Sequence, residues 1–196
     1  MDYTTLANVK QAIGATENTD DALISRLITE ASRVIDRYCA GSSNSDNYLE
    51  QETITDLVID GLGDAKGNIL CHPPKPRIIS VSAASYRPSP LDSWLSIAAD
   101  HVQIKGSSVW LFAGASERYG LQVKLSFTGG LAAATANLPG DIVNAADLLS
   151  IRFYREIKSG VTDSIGVAEL GTLQYTKALP VRVVELLKPW RMLVRI

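Results

Sequence analysis

The stretch TDDALISRLITEASRVIDRYC at residues 19–39 decides the fold of the N-terminal part of the chain. At the helical step of about 100° per residue, its apolar and polar side chains separate onto two sides. The apolar side carries Leu23, Ile24, Leu27, Ile28, Ala31, Val34, Ile35 and Tyr38. The pattern predicts a long helix with one buried face. Thr19 is its predicted N-cap, because a threonine hydroxyl can accept a free backbone N–H.

A shorter helix is predicted just before it. Thr5 can cap apolar residues at helical spacing over 6–13, and Gly14 can end that helix in a left-handed C-cap. The polar stretch GSSNSDN at 41–47 is typical of a loop and ends the longer helix. Residues 1–48 are therefore predicted to form a helical hairpin.

The middle of the chain changes its period from helical to alternating. The segments QETITDLVIDG, NILCH, RIISVSAASYR, HVQIK, SVWLF and LQVKLSF have the composition of strands and are separated by Gly-, Ser- and Pro-rich turns. Residues 49–130 are predicted to form a mostly antiparallel, β-rich insertion that ends at Gly129 and Gly130.

Helix returns at residues 131–188. A helix is predicted over 138–158 and a last one over 180–188, with a loop and a short strand at 172–176 between them. Leu148 and Ile151 point away from the main apolar stripe of the first of these helices. Two explanations stay open, since either the β-rich part of the same chain or a neighbouring subunit could cover that second side. The predicted fold class is α+β, with the hairpin and the C-terminal helices packed as a small bundle.

Composition excludes some classes of protein. The chain has 196 residues and a net charge of −2, and residues 1–60 hold 4 basic against 11 acidic groups. A protein that coats nucleic acid normally has a basic surplus. The uneven charge would suit subunits that meet head to tail, although a solvated charge pattern is the commoner explanation. We expect no membrane segment and no signal peptide.

No group of residues predicts catalysis, a cofactor or a metal. GLGDAKG at 61–67 lacks the spacing of a phosphate-binding loop and indicates a hairpin turn. Asp20 and Asp21 are explained by the positive end of a helix dipole. We expect free thiols in a reducing cytoplasm. The possible zinc ligands lack the paired spacing of a structural site; they are Cys39, Cys71, His72 and His101.

The C-terminus is more informative. Residues 179–196 carry four basic side chains against the single Glu185, and apolar side chains follow the helix-breaking Pro189. Such a segment often folds back on its own core. Trp and Arg also dominate binding hot spots, and this favours a docking tail over residues 189–196.

The order of these segments resembles the head–tail connector (adaptor, or head-completion) proteins of tailed bacteriophages. The resemblance rests on YTTLANVKQAIG and DDALISRLITEASRVIDRYC, then on PPKPRIISVSAASYR and LQVKLSFTGGL. It continues in LPGDIVNAADLLSIRFYREI and closes on LPVRVVELLKPWRM. Each piece alone is a weak signal, and their order is what carries the resemblance over nearly the whole chain.

The resemblance implies a structural virion protein in the neck at the capsid vertex, made in the host cytoplasm. Family members form a ring, typically of twelve copies, below the portal protein. The ring extends the DNA channel without sequence-specific binding and offers a surface to the next neck or tail-completion protein. By position, the portal-docking residues would be Leu187, Pro189, Trp190, Arg191, Met192 and Leu193. Leu148 and Ile151 are the corresponding candidates for a subunit interface.

Two other classes remain as alternatives. A monomeric β-rich ligand-binding or enzymatic domain with helical flanks would show one deep pocket with convergent polar groups. A DNA-binding module is disfavoured by the acidic first third of the chain.

Overall fold

A computed structural model describes residues 1–41, 47–115, 120–159 and 179–192, together with the backbone of 164–167 and 171–174. It combines helices with an antiparallel sheet, as the predicted α+β class requires. The chain divides into two compact units. A helical unit comprises Met1–Asn47 and Ala134–Ile196, and a sheet unit comprises Tyr48–Ala133.

The described part of the helical unit contains four α-helices and a two-stranded sheet. The helices are α1 (Leu6–Ile13), α2 (Asp21–Ala40), α3 (Gly140–Ser159) and α4 (Val181–Leu187). Strand β8 (Ser164–Val167) pairs antiparallel with β9 (Gly171–Gln174), where the sequence analysis had predicted a loop and one short strand. Helix α3 contacts each of the other three helices. None of the described helices combines the length and hydropathy that a membrane span needs.

The capping predictions for α1 are confirmed, whereas the one for α2 is wrong. The Asn8 backbone N–H donates to Thr5 Oγ1 at 3.2 Å, and Gly14 adopts the left-handed conformation with φ of 72°. Helix α2 begins at Asp21, so Asp20 and not Thr19 occupies the N-cap position. The Asp20 side chain makes no capping hydrogen bond because its carboxylate binds another helix.

That carboxylate joins the start of α2 to the end of α3. Tyr154 Oη donates to Asp20 Oδ2 at 2.7 Å, and Lys158 Nζ donates to Asp20 Oδ1 at 2.8 Å. The hydrogen bonds from Lys158 and Tyr154 lower the pKa of Asp20, and the hydrogen bond to Asp20 raises the pKa of Lys158. The contact thus favours the charged forms of both Asp20 and Lys158. Its stability therefore depends on pH.

The core of the helical unit includes a cluster formed by α1, α2 and α3. Its buried members Val9, Ile24 and Ile28 are joined by partly buried apolar side chains. The partly buried members are Leu6, Ile13, Ile151 and Tyr154. Ile151, which the sequence analysis placed off the main apolar stripe of α3, therefore packs against α1 and α2 of the same chain.

The extended N-terminus is fixed along α2 by buried polar contacts. The Tyr3 backbone N–H donates to Ser32 Oγ at 2.9 Å, and the Tyr3 hydroxyl donates to Asp36 Oδ1. Asp36 is fully buried and also pairs with Arg33 at 3.1 Å. A buried carboxylate needs such partners because its desolvation is costly.

The sheet unit contains one antiparallel sheet of seven strands in the order β4-β3-β7-β1-β2-β6-β5. The strands are β1 (Glu52–Gly63), β2 (Asn68–Cys71), β3 (Ile78–Arg87), β4 (Leu95–Ile97), β5 (Val102–Lys105), β6 (Ser108–Phe112) and β7 (Leu121–Gly129). The sequence analysis missed β4, which has only three residues and follows a proline-rich turn. The Ile78 N–H donates to Gly106 O at 2.9 Å, so β3 approaches the far end of the sheet and nearly closes it.

Alternating side chains of these strands fill one core. Strand β7 is the clearest case, because every second residue from Leu121 to Phe127 is completely buried. Strand β1 pairs with β7 along most of its length, but its register shifts between Ile54 and Leu57. Asp56 sits in this bulge with φ of 53°, and its N–H donates to Ser126 Oγ at 3.0 Å.

The two ends of the sheet unit lie side by side. The Leu131 N–H donates to Leu49 O, and the Gln51 N–H donates to Ala132 O, both at 2.9 Å. Gly130 has φ of 125°, and a Cβ added to it would lie 2.4 Å from the Glu50 carbonyl oxygen. Only glycine fits this crossing of the two backbones.

The side chain of Lys75 is buried beside the same crossing. Its exposed fraction is 1%, and Nζ donates to Glu50 O at 2.8 Å and pairs with Glu52 Oε1 at 2.7 Å. The ammonium group therefore binds the first of the two crossing segments through both its backbone and a side chain.

The Gly130→Ala substitution tests the crossing. Because the methyl group would meet backbone atoms and φ is positive, the free energy of unfolding should fall by about 3 kcal/mol or more. Gly106→Ala is the matched control, since Gly106 also has a positive φ of 64° but open space around its Cβ position. The control should lose only about 1–2 kcal/mol, the cost of the left-handed conformation. Equal losses in urea unfolding would contradict the close approach at Gly130.

The Asp20→Asn substitution tests the α2–α3 link through its pH dependence. Because the folded-state pKa of Asp20 lies below the ordinary 3.8, its contribution to stability is present above that value. This contribution is lost as the pH falls through the lower, folded-state pKa. Urea midpoints measured from pH 6 to pH 2 should therefore fall more steeply for the unchanged protein than for Asp20→Asn. Parallel curves would show that the carboxylate is not bound to Lys158 and Tyr154.

Candidate functional site

The residues considered as zinc ligands are divided between the two compact units. Cys39 belongs to the helical unit, whereas Cys71, His72 and His101 belong to the sheet unit. Cys71 Sγ lies in the core within 3.5 Å of the Val109 carbonyl oxygen, and His72 Nδ1 lies 3.0 Å from Ser108 Oγ. Within the described ranges, no group of three or more His, Cys, Asp or Glu side chains could hold a metal ion.

The glycine-rich segment at 61–67 is the end of a strand followed by a turn. The Asp64 carboxylate accepts the backbone N–H groups of Lys66 at 2.7 Å and Asn68 at 2.9 Å. These hydrogen bonds, those from Asn68 first, lower the pKa of Asp64. The carboxylate is thus occupied in closing the β1–β2 hairpin, as the turn prediction requires.

The C-terminal segment 181–192 is the most distinctive surface of the helical unit. Helix α4 continues into a 3₁₀ turn at Lys188–Trp190, where Pro189 lies near its start. Val183 and Leu187 are completely buried and fix α4, which contacts α3. Leu187, one of the predicted docking residues, therefore has no exposed surface in this conformation.

The described residues that follow the turn contact the C-terminal end of α2. The Met192 N–H donates to Cys39 O at 2.7 Å, and the Arg191 guanidinium carbon lies 5.3 Å from the centre of the Tyr38 ring. These contacts satisfy one carbonyl at the helix end and place a cation on an aromatic face. Residues 191–192 are thus partly folded back, the other interpretation considered from the sequence. Leu193 lies outside the described residues.

Trp190 combines packing with an unused donor. Its side chain is half-buried, and its Nε1 is buried without a hydrogen-bond acceptor among the described residues. An unsatisfied buried donor costs about 1–3 kcal/mol. Trp190 is therefore held by apolar contact rather than by a polar one.

The outer side of the same segment is basic. Lys188, Pro189 and Arg191 are exposed. Arg182 Nη1 lies 3.7 Å from Glu185 Oε2 in a loose ion pair, and both of these side chains are exposed. Lys188 has no carboxylate partner among the residues that the structure describes. The arrangement offers exposed cations next to a half-buried tryptophan, a combination suited to protein docking.

The end of α2 was not singled out by the sequence analysis. Tyr38, Cys39 and Gly41 form the seat of the C-terminal segment, and a Cβ on Gly41 would lie 4.0 Å from the Met192 carbonyl oxygen. Burial raises the pKa of the Cys39 thiol to about 12, with Asp36 adding to the shift. Gly41 marks the end of α2 in the sequence, but no sequence signal pointed to the segment that contacts it.

Leu148 and Ile151 have different environments. Leu148 is 41% exposed on α3, whereas Ile151 packs into the α1–α2–α3 cluster. Of these two residues, Leu148 is the one exposed enough to contact a neighbouring subunit. Its place in a subunit interface stays a prediction.

A sequence model for the family described as "Phage gp6-like head-tail connector protein" matches residues 3–69. The match covers α1, α2, β1 and the first two residues of β2. The resemblance found from the sequence is confirmed. No curated protein matches the sequence closely enough to count as a relative.

Solved structures match over nearly the whole chain. A chain in the neck of an empty gene transfer agent (GTA) particle, computed with C6 symmetry, matches with a TM-score of 0.54 at 16% identity, covering 99% of this chain and 92% of the other. A chain of a native GTA virion gives 0.55 at 17% identity, covering 99% and 92%. A chain in the neck of a native GTA particle, computed with C12 symmetry, gives 0.51 at 16% identity, covering 100% and 96%. At these identities the likeness establishes the fold.

Replacing Trp190 by phenylalanine tests the role of its indole. Because Nε1 has no acceptor in the part of the chain that the structure describes, Trp190→Phe should change the free energy of unfolding by less than about 1 kcal/mol. Trp190→Ala should cost about 2 kcal/mol or more because it removes apolar packing. Thermal unfolding of the two variants separates these effects. A Phe variant as unstable as the Ala variant would show that the indole N–H has an acceptor.

Proposed function

We propose that this protein is a structural component of the neck of a phage-like particle. In this proposal, copies form a ring on the portal protein at the capsid vertex and extend the DNA channel toward the tail. The observation that carries the proposal is the match of residues 3–69 to head–tail connectors. The shared fold with chains of GTA necks over 99% of this chain supports it.

We assign a mechanical role, with no catalytic residue, to the molecule. A neck component must bind neighbours on two sides and let DNA slide between its copies. Strong phosphate neutralisation would hold DNA rather than pass it, and the net charge of −2 is compatible with sliding. The ring needs about twelve copies if it follows the twelvefold neck symmetry of the structural relative.

The portal-docking surface in this proposal is the C-terminal segment from Lys188 onward. Its described part offers Lys188, Pro189 and Arg191 to a partner, with Trp190 packed beneath them. The buried Leu187 supports the segment from inside. The partner surface should therefore be acidic with an apolar centre, because Lys188 is exposed and its ammonium group needs a counter-charge.

The alternative is a monomeric β-rich domain that binds a ligand or acts as an enzyme. It requires a pocket with convergent titrating groups. The Cys71 thiol is in the core with a pKa raised by burial to about 12, and Asp64 is occupied by a turn. Both side chains therefore have structural roles in the sheet unit. The neck role accounts for more of the observations than the ligand-binding or enzymatic role does.

The first experiment asks whether a ring forms. The protein is mixed with the portal protein of the same particle and imaged by negative stain and by native mass spectrometry. Particles with a ring of this chain below the portal are expected, whereas the free chain is expected to stay monomeric or weakly associated. A single copy bound to portal at every concentration, or no binding at all, would contradict the proposal.

The second experiment reverses the exposed charges of the docking segment. Lys188→Glu with Arg191→Glu should weaken portal binding by about tenfold or more, because attraction becomes repulsion at the proposed surface. Arg182→Glu is the matched control, since Arg182 is also exposed and basic but lies on α4, ahead of the docking segment. Circular dichroism should show unchanged folding of all variants. Portal binding that survives the double reversal would place the docking surface elsewhere.

A further inference from the structure

The β8–β9 hairpin, which lies between α3 and α4 in the sequence, is a sheet of only two strands. Its register runs from Ser164 opposite Gln174 to Val167 opposite Gly171. Among the strands that the structure describes, neither of the two pairs with any other strand. A two-stranded hairpin is marginally stable in water, and both of its outer edges leave backbone N–H and C=O groups without partners. The hairpin therefore gains stability if strands are added at its two edges.

The two faces of this hairpin differ in their residue types. Successive residues of a strand belong to opposite faces, so the register sorts the residues of both strands. One face carries the apolar residues Ile165, Val167 and Leu173. The other face carries small or polar residues, none of them charged: Ser164, Gly166, Thr172 and Gln174. One face is thus suited to contact with protein and the other to contact with water.

The outer edges of β8 and β9 are two unlike edges of one chain. Pairing of β9 in one copy with β8 in the next continues the antiparallel alternation of the hairpin. Such a heterologous contact closes into a ring when its rotation allows it, and a closed sheet has no free edge. We propose that the hairpins of neighbouring copies pair in this way and form one closed sheet, here named the β-cylinder, around the DNA channel. This inference rests on the proposed neck function and names a contact between ring subunits.

The width of the β-cylinder is set by the number of copies. Two strands from each of twelve copies, the number that follows from the twelvefold neck symmetry of the structural relative, give 24 strands. At a strand spacing of about 4.8 Å and a tilt of up to about 40°, the backbones would enclose a circle roughly 37–48 Å across. Side chains that extend about 5 Å inward leave an opening of roughly 27–38 Å. A DNA duplex, about 20 Å wide, passes through this opening, whereas six copies would leave only about 8–14 Å.

The uncharged face of the hairpin is suited to the inside of the β-cylinder. Its hydroxyl and amide groups can hydrogen-bond water and phosphate oxygens, but they neutralise no phosphate charge. Without release of counterions, the electrostatic term that holds DNA on a protein is missing. The apolar face then lies on the outside, where other parts of the ring can cover it. This arrangement lines the channel with residues over which DNA can slide.

The edges themselves favour a second copy as the occupant. A head-to-tail pairing of hairpins covers both edges of every copy with one kind of contact, whereas a different partner would have to supply two strands to each copy. The end strands of the seven-stranded sheet are poorer partners. Strand β4 has only three residues, and the turn after β5 already accepts the Ile78 N–H at Gly106 O. Each four-residue edge offers only about two N–H and two C=O groups, so the contact is weak until the portal holds many copies together.

Disulfide trapping tests the pairing of neighbouring hairpins. One protein carries Gln174→Cys and a second carries Ser164→Cys, and an equimolar mixture is assembled on the portal and oxidised with copper phenanthroline. Mass spectrometry of the linked peptides should show about tenfold more of the 174–164 link than of either same-site link. The reason is distance, since same-site strands would be about 10 Å apart and a disulfide spans at most about 7 Å between Cα atoms. The native Cys39 and Cys71 are buried and do not compete.

Two further cysteine variants cover the stagger of strands that a closed sheet requires. Thr172→Cys replaces Gln174→Cys, and Gly166→Cys replaces Ser164→Cys, in all four combinations. At least one unlike pair should link in the assembled ring. The matched control is a single chain that carries both Ser164→Cys and Gln174→Cys, which are opposite each other in the hairpin. Its internal link should form with or without portal, and this shows that the hairpin is present in the free chain.

The same samples are imaged by negative stain, which separates the two proposals. Rings in which none of the four unlike pairs links would show that another element covers the hairpin edges, and this overturns the β-cylinder alone. Same-site links as abundant as unlike links would also overturn it, because they contradict head-to-tail pairing. The absence of rings on the portal overturns the neck function itself.

Discussion

The fold depends on a backbone crossing at which the two ends of the sheet unit meet. Residues 49–51 and 130–132 exchange hydrogen bonds at 2.9 Å, and only a glycine at 130 allows the chains to come so close. Lys75, with its charge buried, binds the first of the two segments. This constraint has a topological consequence. Because the sheet leaves and returns at one place, the segments before and after it can belong to one helical unit.

Local chemistry made the helices predictable. Thr5 and Gly14 satisfy the ends of α1 as their residue types require, and the apolar side of 19–39 is buried along most of its length. Thr19 was wrong as the cap because α2 begins at Asp21, which puts Asp20 at the N-cap position. The Asp20 carboxylate is bound by Tyr154 and Lys158, 134 and 138 residues away in the sequence. A tertiary contact of this kind leaves no local pattern.

The arrangement of the sheet was beyond the reach of sequence patterns. Alternation located most strands. However, β1 pairs with β7 although the other five strands lie between them in the sequence, and a bulge at Asp56 changes the register. The candidate docking segment was predictable from composition, since basic and apolar residues follow a proline. Its contact with Tyr38 and Cys39 was not predictable, because no sequence signal links the C-terminal segment to the end of α2.

The buried thiols have a consequence for a particle that is assembled in one medium and used in another. The chain contains two cysteines, both are buried, and burial raises the pKa of each to about 12. The thiolate is the form that oxidants attack, and it is scarce at such a pKa. The two thiols of a neck built from this protein would therefore resist oxidation after the particle leaves the reducing interior of a cell.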